Sequence, residues 1–311
     1  MTIVSTISRY KIIILKKRYG EDKMRHHYIP KFYLKNWESS LGIFCYFYEY
    51  HKFLMTNKKA SEVGFLHNLN SFVTTEGILD HTIESEHLSV HDNSSAIILQ
   101  KIIDFGISSI DFKEQEDWCD FILALFLRHP YIMNEARNDI ESSIKEFEMH
   151  LNATLIESEE YKHFYNNYHI ENMKNDIKNQ RSALKSLMLE LNWFLLDFKS
   201  STYDLLTGDM PVSIYNLNDK IITAFDDIND SSIFLTFPLT PKKCFIATKS
   251  KKNLDNFIFP MRRLIRDLNL KMVEKSVFYV FSNTNHPYNF IKKHMNDTTD
   301  VKRIWQERLK R

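Results

Sequence analysis

Phe121-Ile122-Leu123-Ala124-Leu125-Phe126-Leu127 is apolar without a break, and Arg128-His129-Pro130 follows it directly. A helix with no polar face has to be buried on all sides, so the rest of the chain must be arranged around this segment. Pro130 should end it, because the residue before a proline is pushed out of the α region and proline suits the first turn of a new helix. From Leu79 to about Asn192, Gly and Pro almost vanish and charged residues recur on one side of apolar rows. That is the pattern of amphipathic helices, predicted at 79–92, 93–106, 113–128, 131–153, 156–176 and 181–192.

The flanks read differently. After a short helix at 31–37, residues 42–56 alternate aromatic and polar side chains and predict a β-hairpin. Residues 63–73 are expected to be extended, with Asn68 and Asn70 as turn formers. Beyond Asn192, short runs at 193–196, 203–206, 212–215, 233–237 and 244–248 predict strands. A helix at 252–272, a strand at 276–281 and a helix at 286–296 follow. The fold class expected is α+β: an N-terminal β-hairpin, a central helical bundle and a mostly antiparallel sheet in the C-terminal half. Met24 precedes the most motif-like stretch of the chain. Residues 1–23 are therefore read as an N-terminal extension, 24–297 as a single domain, and 298–311 as a basic tail or helix.

Composition narrows the function classes. With 41 Lys and Arg against 40 Asp and Glu, the formal charge of +1 excludes a polyanion-binding tail. Six Gly in 311 residues weigh against phosphate-cradling loops, and neither GxGxxG nor GxxxxGK[ST] occurs. Cys45, Cys119 and Cys244 are scattered and form no CxxC pair, which fits a reduced, cytoplasmic protein better than a disulfide scaffold or thiolate zinc site. The early apolar run Ile12-Ile13-Ile14-Leu15 is too short to span a bilayer or to serve as a signal-peptide core, so no membrane partner is expected.

His26-His27-Tyr28-Ile29-Pro30-Lys31-Phe32-Tyr33-Leu34-Lys35-Asn36-Trp37 resembles the opening signature of the domain of unknown function 4238 family. In order along the chain, 60–72, Ile83-Glu84, Arg128-His129-Pro130, Gly208-Asp209-Met210-Pro211-Val212, Phe237-Pro238-Leu239-Thr240-Pro241 and Asn269 are similar to further family segments. The resemblance covers roughly 24–285. It implies a defence or toxin-type effector, since similar members are associated with bacterial phage-defence loci, without naming a reaction. Relatives tend to carry a second Glu about a heptad after the first, where this chain has His91.

The polar residues of these segments are the candidate site. Adjacent His26 and His27 in a strand point to opposite faces, so at most one reaches a shared site. Imidazole there is a metal ligand or a general acid or base, or else a packed ring bonded to backbone. Glu84, His87 and His91 share one face of a predicted helix, although Leu88 stands where an HExxH site needs its Glu. A solvated polar helix face is the plainer reading of the three. Arg128, ending the most hydrophobic helix, needs a carboxylate or a bound anion. Asp209, set between Gly208 and Met210-Pro211, is placed as a metal ligand or base, or as part of a plain turn. Arg262, Arg263, Arg266 and Lys271 on a predicted helix, with the basic C-terminus, form either a phosphate-tracking stripe or an ordinary solvated face.

Two functions compete. In the first, the protein hydrolyses phosphodiesters in nucleic acid or nucleotides. His26 or His27, Glu84 and Asp209 then hold a divalent metal (metal set His26, Glu84, Asp209) or act as acid and base, and Arg128 stabilises charge on phosphate. In the second, the same residues form a structural network within a non-catalytic sensor or interaction module.

Overall fold

The computed structural model describes residues 24–76, 78–88, 92–216, 233–250 and 261–301. It opens with β1 (Arg25–His27) and α1 (Lys31–Leu34), the latter running into a 3-10 turn through Trp37. β2 (Ile43–Glu49) and β3 (Lys52–Lys58) form the expected hairpin. Its two-residue connection, Tyr50 and His51, has φ of 49° and 59°, the left-handed pair whose twist matches that of the flanking strands. β4 (Phe65–His67) pairs with β1, and a turn at 68–70 leads to β5 (Phe72–Val73) and β6 (Leu79–Asp80), which pair with each other.

A wide π-helical turn, Ile83–Leu88, follows, then α2 (Asp92–Phe105), α3 (Phe112–Leu127) and α4 (Pro130–Glu148). α3 starts on a reciprocal cap between Asp111 and Glu114. It stops as expected: His129 is extended, with ψ of 132°, and Pro130 occupies the first turn of α4. The helical half ends with α5 (Ala153–Ile156) and the long α6 (Glu159–Leu189).

Thereafter come β7 (Asn192–Asp197), β8 (Thr207–Gly208), β9 (Ser213–Asn216), β10 (Ile233–Thr240), β11 (Lys243–Thr248), α7 (Met261–Lys275), β12 (Val280–Ser282) and α8 (Tyr288–His294). Two four-stranded antiparallel sheets result, ordered β7-β11-β10-β9 and β3-β2-β12-β8. In the second, β12 and β8 return from the C-terminal half to extend the N-terminal hairpin. The architecture is α+β, as the patterning predicts.

The apolar segment of α3 is the centre of the core. Trp118, Cys119, Phe121, Ile122, Leu123, Ala124, Leu125 and Leu127 are all buried. Trp118 lies 5.8 Å from Phe237 of β10 and 5.9 Å from Phe245 of β11, ring centre to ring centre. The Tyr33 hydroxyl ties α1 to this layer, donating to Pro238 O at 2.6 Å beside Thr207 Oγ1, also at 2.6 Å. Cys45, Cys119 and Cys244 are free and buried, and burial pushes each thiol up to about 12.

Several boundaries differ from expectation. The helix predicted at 79–92 is strand, π turn and the start of α2, because pairing of β6 with β5 overrides local propensity. The helices predicted at 156–176 and 181–192 largely merge as α6, since no Gly or Pro stands between them. Residues 203–206 are not a strand. Asn269 holds them instead, donating to Asp204 O at 2.9 Å and accepting from Leu206 N at 2.8 Å. The final strand is shorter than 276–281 predicts, because Asp209 takes the amides of Val277 and Phe278. Residues 1–23, most of the basic tail, His91 and 252–260 lie outside the described residues, as does the side chain of His87. No helix among the described residues is long and apolar enough to cross a membrane.

Candidate functional site

The break between α3 and α4 sends two consecutive side chains into two different polar networks. Arg128 is buried and forks onto Asp92, the first residue of α2, with Nη2 2.9 Å from Oδ1 and Nη1 3.3 Å from Oδ2. The next residue, His129, turns to Asp209: its Nδ1 accepts Tyr131 N–H at 3.2 Å, so Nε2 carries the proton and donates to Asp209 Oδ2 at 3.4 Å.

Asp209 is buried and fully engaged. Its oxygens accept Phe278 N–H at 2.5 Å and Val277 N–H at 3.1 Å, while its own N–H donates to Tyr279 O at 3.0 Å. Gly208 permits this approach, since a Cβ there would stand 2.1 Å from Ser276 Oγ. Lys275, whose amine burial lowers to about 7 despite nearby Asp209, donates to Val212 O at 2.6 Å. None of Asp209's hydrogen bonds reaches His26, His27, Glu84 or Arg128.

The other network hangs on Asn70 in the turn after β4. Its backbone N–H donates to Nδ1 of buried His26 at 3.0 Å, and its side-chain amide donates to Glu84 Oε2 at 2.6 Å. His26 therefore carries its proton on Nε2, which is buried and has no hydrogen-bond partner among the described residues. The same holds for His27 Nε2 and Asn70 Oδ1. His81 closes the group, 5.5 Å from His26 ring to ring and 2.7 Å from Ser71 Oγ through Nδ1.

Electrostatics follow from this burial. Desolvation, with positive charge from His81 and Arg137, pushes His26 down to about 4, so the ring is neutral at pH 7. His27 is lowered too, chiefly by burial and then by Arg25. Burial raises Glu84 above the usual carboxylate range, opposed by the Asn70 hydrogen bond and the Arg128 guanidinium. The set thus pairs a neutral N–H donor with a carboxyl poised closer to neutral pH.

A family model described as a protein of unknown function (DUF4238) matches residues 25–286, most of the chain. The chain belongs to the DUF4238 family. Nothing among curated proteins or solved structures matches it.

Of the residues singled out in this DUF4238 chain, His26, Glu84 and Arg128 belong to one neighbourhood and Asp209 to the adjoining network. Among the described residues, no group of three or more His, Cys, Asp or Glu side chains could hold a metal ion, so His26, Glu84 and Asp209 do not assemble as one. The tautomer explains part of this: the Nδ1 lone pair of His26 is taken by Asn70, and Nε2 has none to give. Arg262, Arg263 and Arg266 lie exposed on α7; Arg262 stacks over Tyr203 at 4.9 Å and Arg263 sits 3.7 Å from Asp267. Sequence reasoning missed Asn70 as a linker, Asp92 as the partner of Arg128, and Arg137. A signal for the last existed. Arg137 interrupts the buried α4 stripe Met133, Ile140 and Ile144 at helical spacing.

Proposed function

We propose that this DUF4238 chain hydrolyses phosphodiesters, in nucleic acid or nucleotides, at a site centred on Glu84, His26 and Arg128. The observation that carries the reading is the unpartnered, buried Nε2–H of His26, on a ring tied through Asn70 to a carboxyl lifted by burial. Buried donors are rarely left unsatisfied unless a ligand or water completes them. Glu84 takes a proton from the attacking water as the water oxygen bonds to phosphorus; the ester P–O bond on the opposite side breaks, and the leaving alcohol oxygen receives that proton from Glu84. The raised carboxyl makes it a stronger base than an exposed one. His26 Nε2–H and the Arg128 charge, held in place by Asp92, stabilise negative charge growing on the phosphoryl oxygens. The exposed Arg262, Arg263 and Arg266 would follow a polynucleotide backbone. A defence-type effector, which the family resemblance implies, would use such an activity against nucleic acid.

A non-catalytic module has one observation in its favour: the Asp209–His129 network is closed, with both ring nitrogens of His129 engaged. One experiment separates the two. Purified protein is incubated with DNA, RNA and nucleotides, with chelator and with each of several divalent metals. Turnover lost in Glu84→Gln and His26→Gln supports hydrolysis; intact substrates under every condition rule it out.

A further inference from the structure

Both terminal nitrogens of Arg128 are committed to Asp92, yet a second buried guanidinium stands nearby. Arg137, on α4, donates through Nη2 to Leu69 O and, at 3.0 Å, to Ser71 O. Those carbonyls flank Asn70, whose backbone N–H holds His26. Arg137 and His26 therefore grip the same three-residue turn. Arg137 also lies over the Phe72 ring, 5.1 Å from its centre.

The charge of Arg137 is poorly balanced. Carbonyl oxygens and a ring face satisfy donors, but they do not neutralise a cation, and a buried cation without a counter-charge is costly. The one carboxylate acting on it among the described residues is Glu141, one turn along α4. Its Nε–H is buried with no hydrogen-bond partner among those residues. Asn134 Nδ2, three residues earlier on the same face of α4, is in the same condition, and so is His26 Nε2. Three unmet N–H donors and a surplus positive charge describe a place for an oxyanion. The adjacent Asn70 Oδ1, an unmet acceptor, suits the P–OH of a monoanionic phosphoryl group better than a bare carboxylate.

We infer that Arg137, Asn134 and His26 form a binding site for a phosphoryl group, with Arg137 supplying a positive charge in addition to that of Arg128. The inference shares with the proposed hydrolysis only the role of His26 as a donor. Titration calorimetry with inorganic phosphate tests it without any turnover. Wild type should bind one phosphate saturably, and Asn134→Ala should weaken that binding about tenfold, the effect of one lost hydrogen bond to a charged group, at unchanged melting temperature. Arg137→Met should abolish it; where loss of the turn clamp unfolds that variant, Asn134→Ala carries the test alone. A wild type that takes up no phosphate, or binding undiminished in Asn134→Ala, overturns the inference. Phosphate binding of this kind in a protein that hydrolyses nothing would remove the hydrolase reading and leave the anion site standing.

Discussion

Asn70 holds Glu84 by its side chain, 2.6 Å from amide nitrogen to carboxylate, while its main chain holds His26. Two motifs far apart in the chain are thus joined by one residue, and the two links can be cut separately.

Asn70→Ala removes the amide and spares the backbone N–H. The Asn70 bond favours the charged form of Glu84, so its loss should move the Glu84 carboxyl further up while leaving His26 where it is. Stability should fall by about 1–3 kcal/mol, the cost of a buried acceptor losing a donor. Carboxyl titration by NMR reads the shift; a downward movement would contradict the arrangement.

His26 should make the protein acid-sensitive. In the fold its ring titrates at about 4, against 6.5 ordinarily. Between those values the unfolded chain binds a proton that the folded chain does not, so stability is full above pH 6.5 and drains away as pH falls towards 4. The loss across that window is on the order of 3 kcal/mol. Urea denaturation at intervals from pH 7.5 to 4 should show that slope in wild type and a shallower one in His26→Gln. Parallel curves would place the titrating group elsewhere.

The Arg128–Asp92 pair joins the end of α3 to the start of α2, with the guanidinium side far more buried than the carboxylate side. Removing the carboxylate strands a buried cation, whereas replacing the cation by an apolar chain strands a half-exposed anion that water can reach. Asp92→Ala should therefore cost about 3–5 kcal/mol and Arg128→Met clearly less. Equal costs in chemical denaturation would mean that Asp92 is not the main counter-charge.

The parts of this fold that were legible in the sequence are those decided by patterning. The unbroken apolar run at 121–127 announced a buried helix, Pro130 its end, and the aromatic alternation after Gly42 a hairpin. Pairings between distant segments were not legible. Nothing in the order of residues says that β12 joins β2, or that Asp92 opens α2 opposite Arg128. For the site, His26, Glu84 and Arg128 stood out as polar residues in motif-like settings, but Asn70 looked like a turn former alone. Arg137 left a faint signal, its place in the row of Met133, Ile140 and Ile144, but one arginine on an amphipathic helix is ordinary until that row is known to be buried.

Asp209 marks where motif and chemistry separate. Its carboxylate accepts hydrogen bonds from the amides of Val277 and Phe278 and from His129 Nε2–H, work that positions the approach to β12. Asp209→Ala would leave those buried amides and the imidazole N–H unmet, at about 1–3 kcal/mol for each group, so a loss of several kcal/mol is expected. Asp209→Asn keeps one acceptor oxygen but turns the other position into a donor facing donors, and should be nearly as damaging. Glu84→Gln, in a neighbourhood where burial already disfavours charge, should leave stability unchanged or raised. Thermal melts of the three variants beside their turnover would read this directly. Asp209 variants should lose fold and function together, and Glu84→Gln function alone; an Asp209→Asn protein that melts like wild type yet has lost turnover would return Asp209 to the reacting centre.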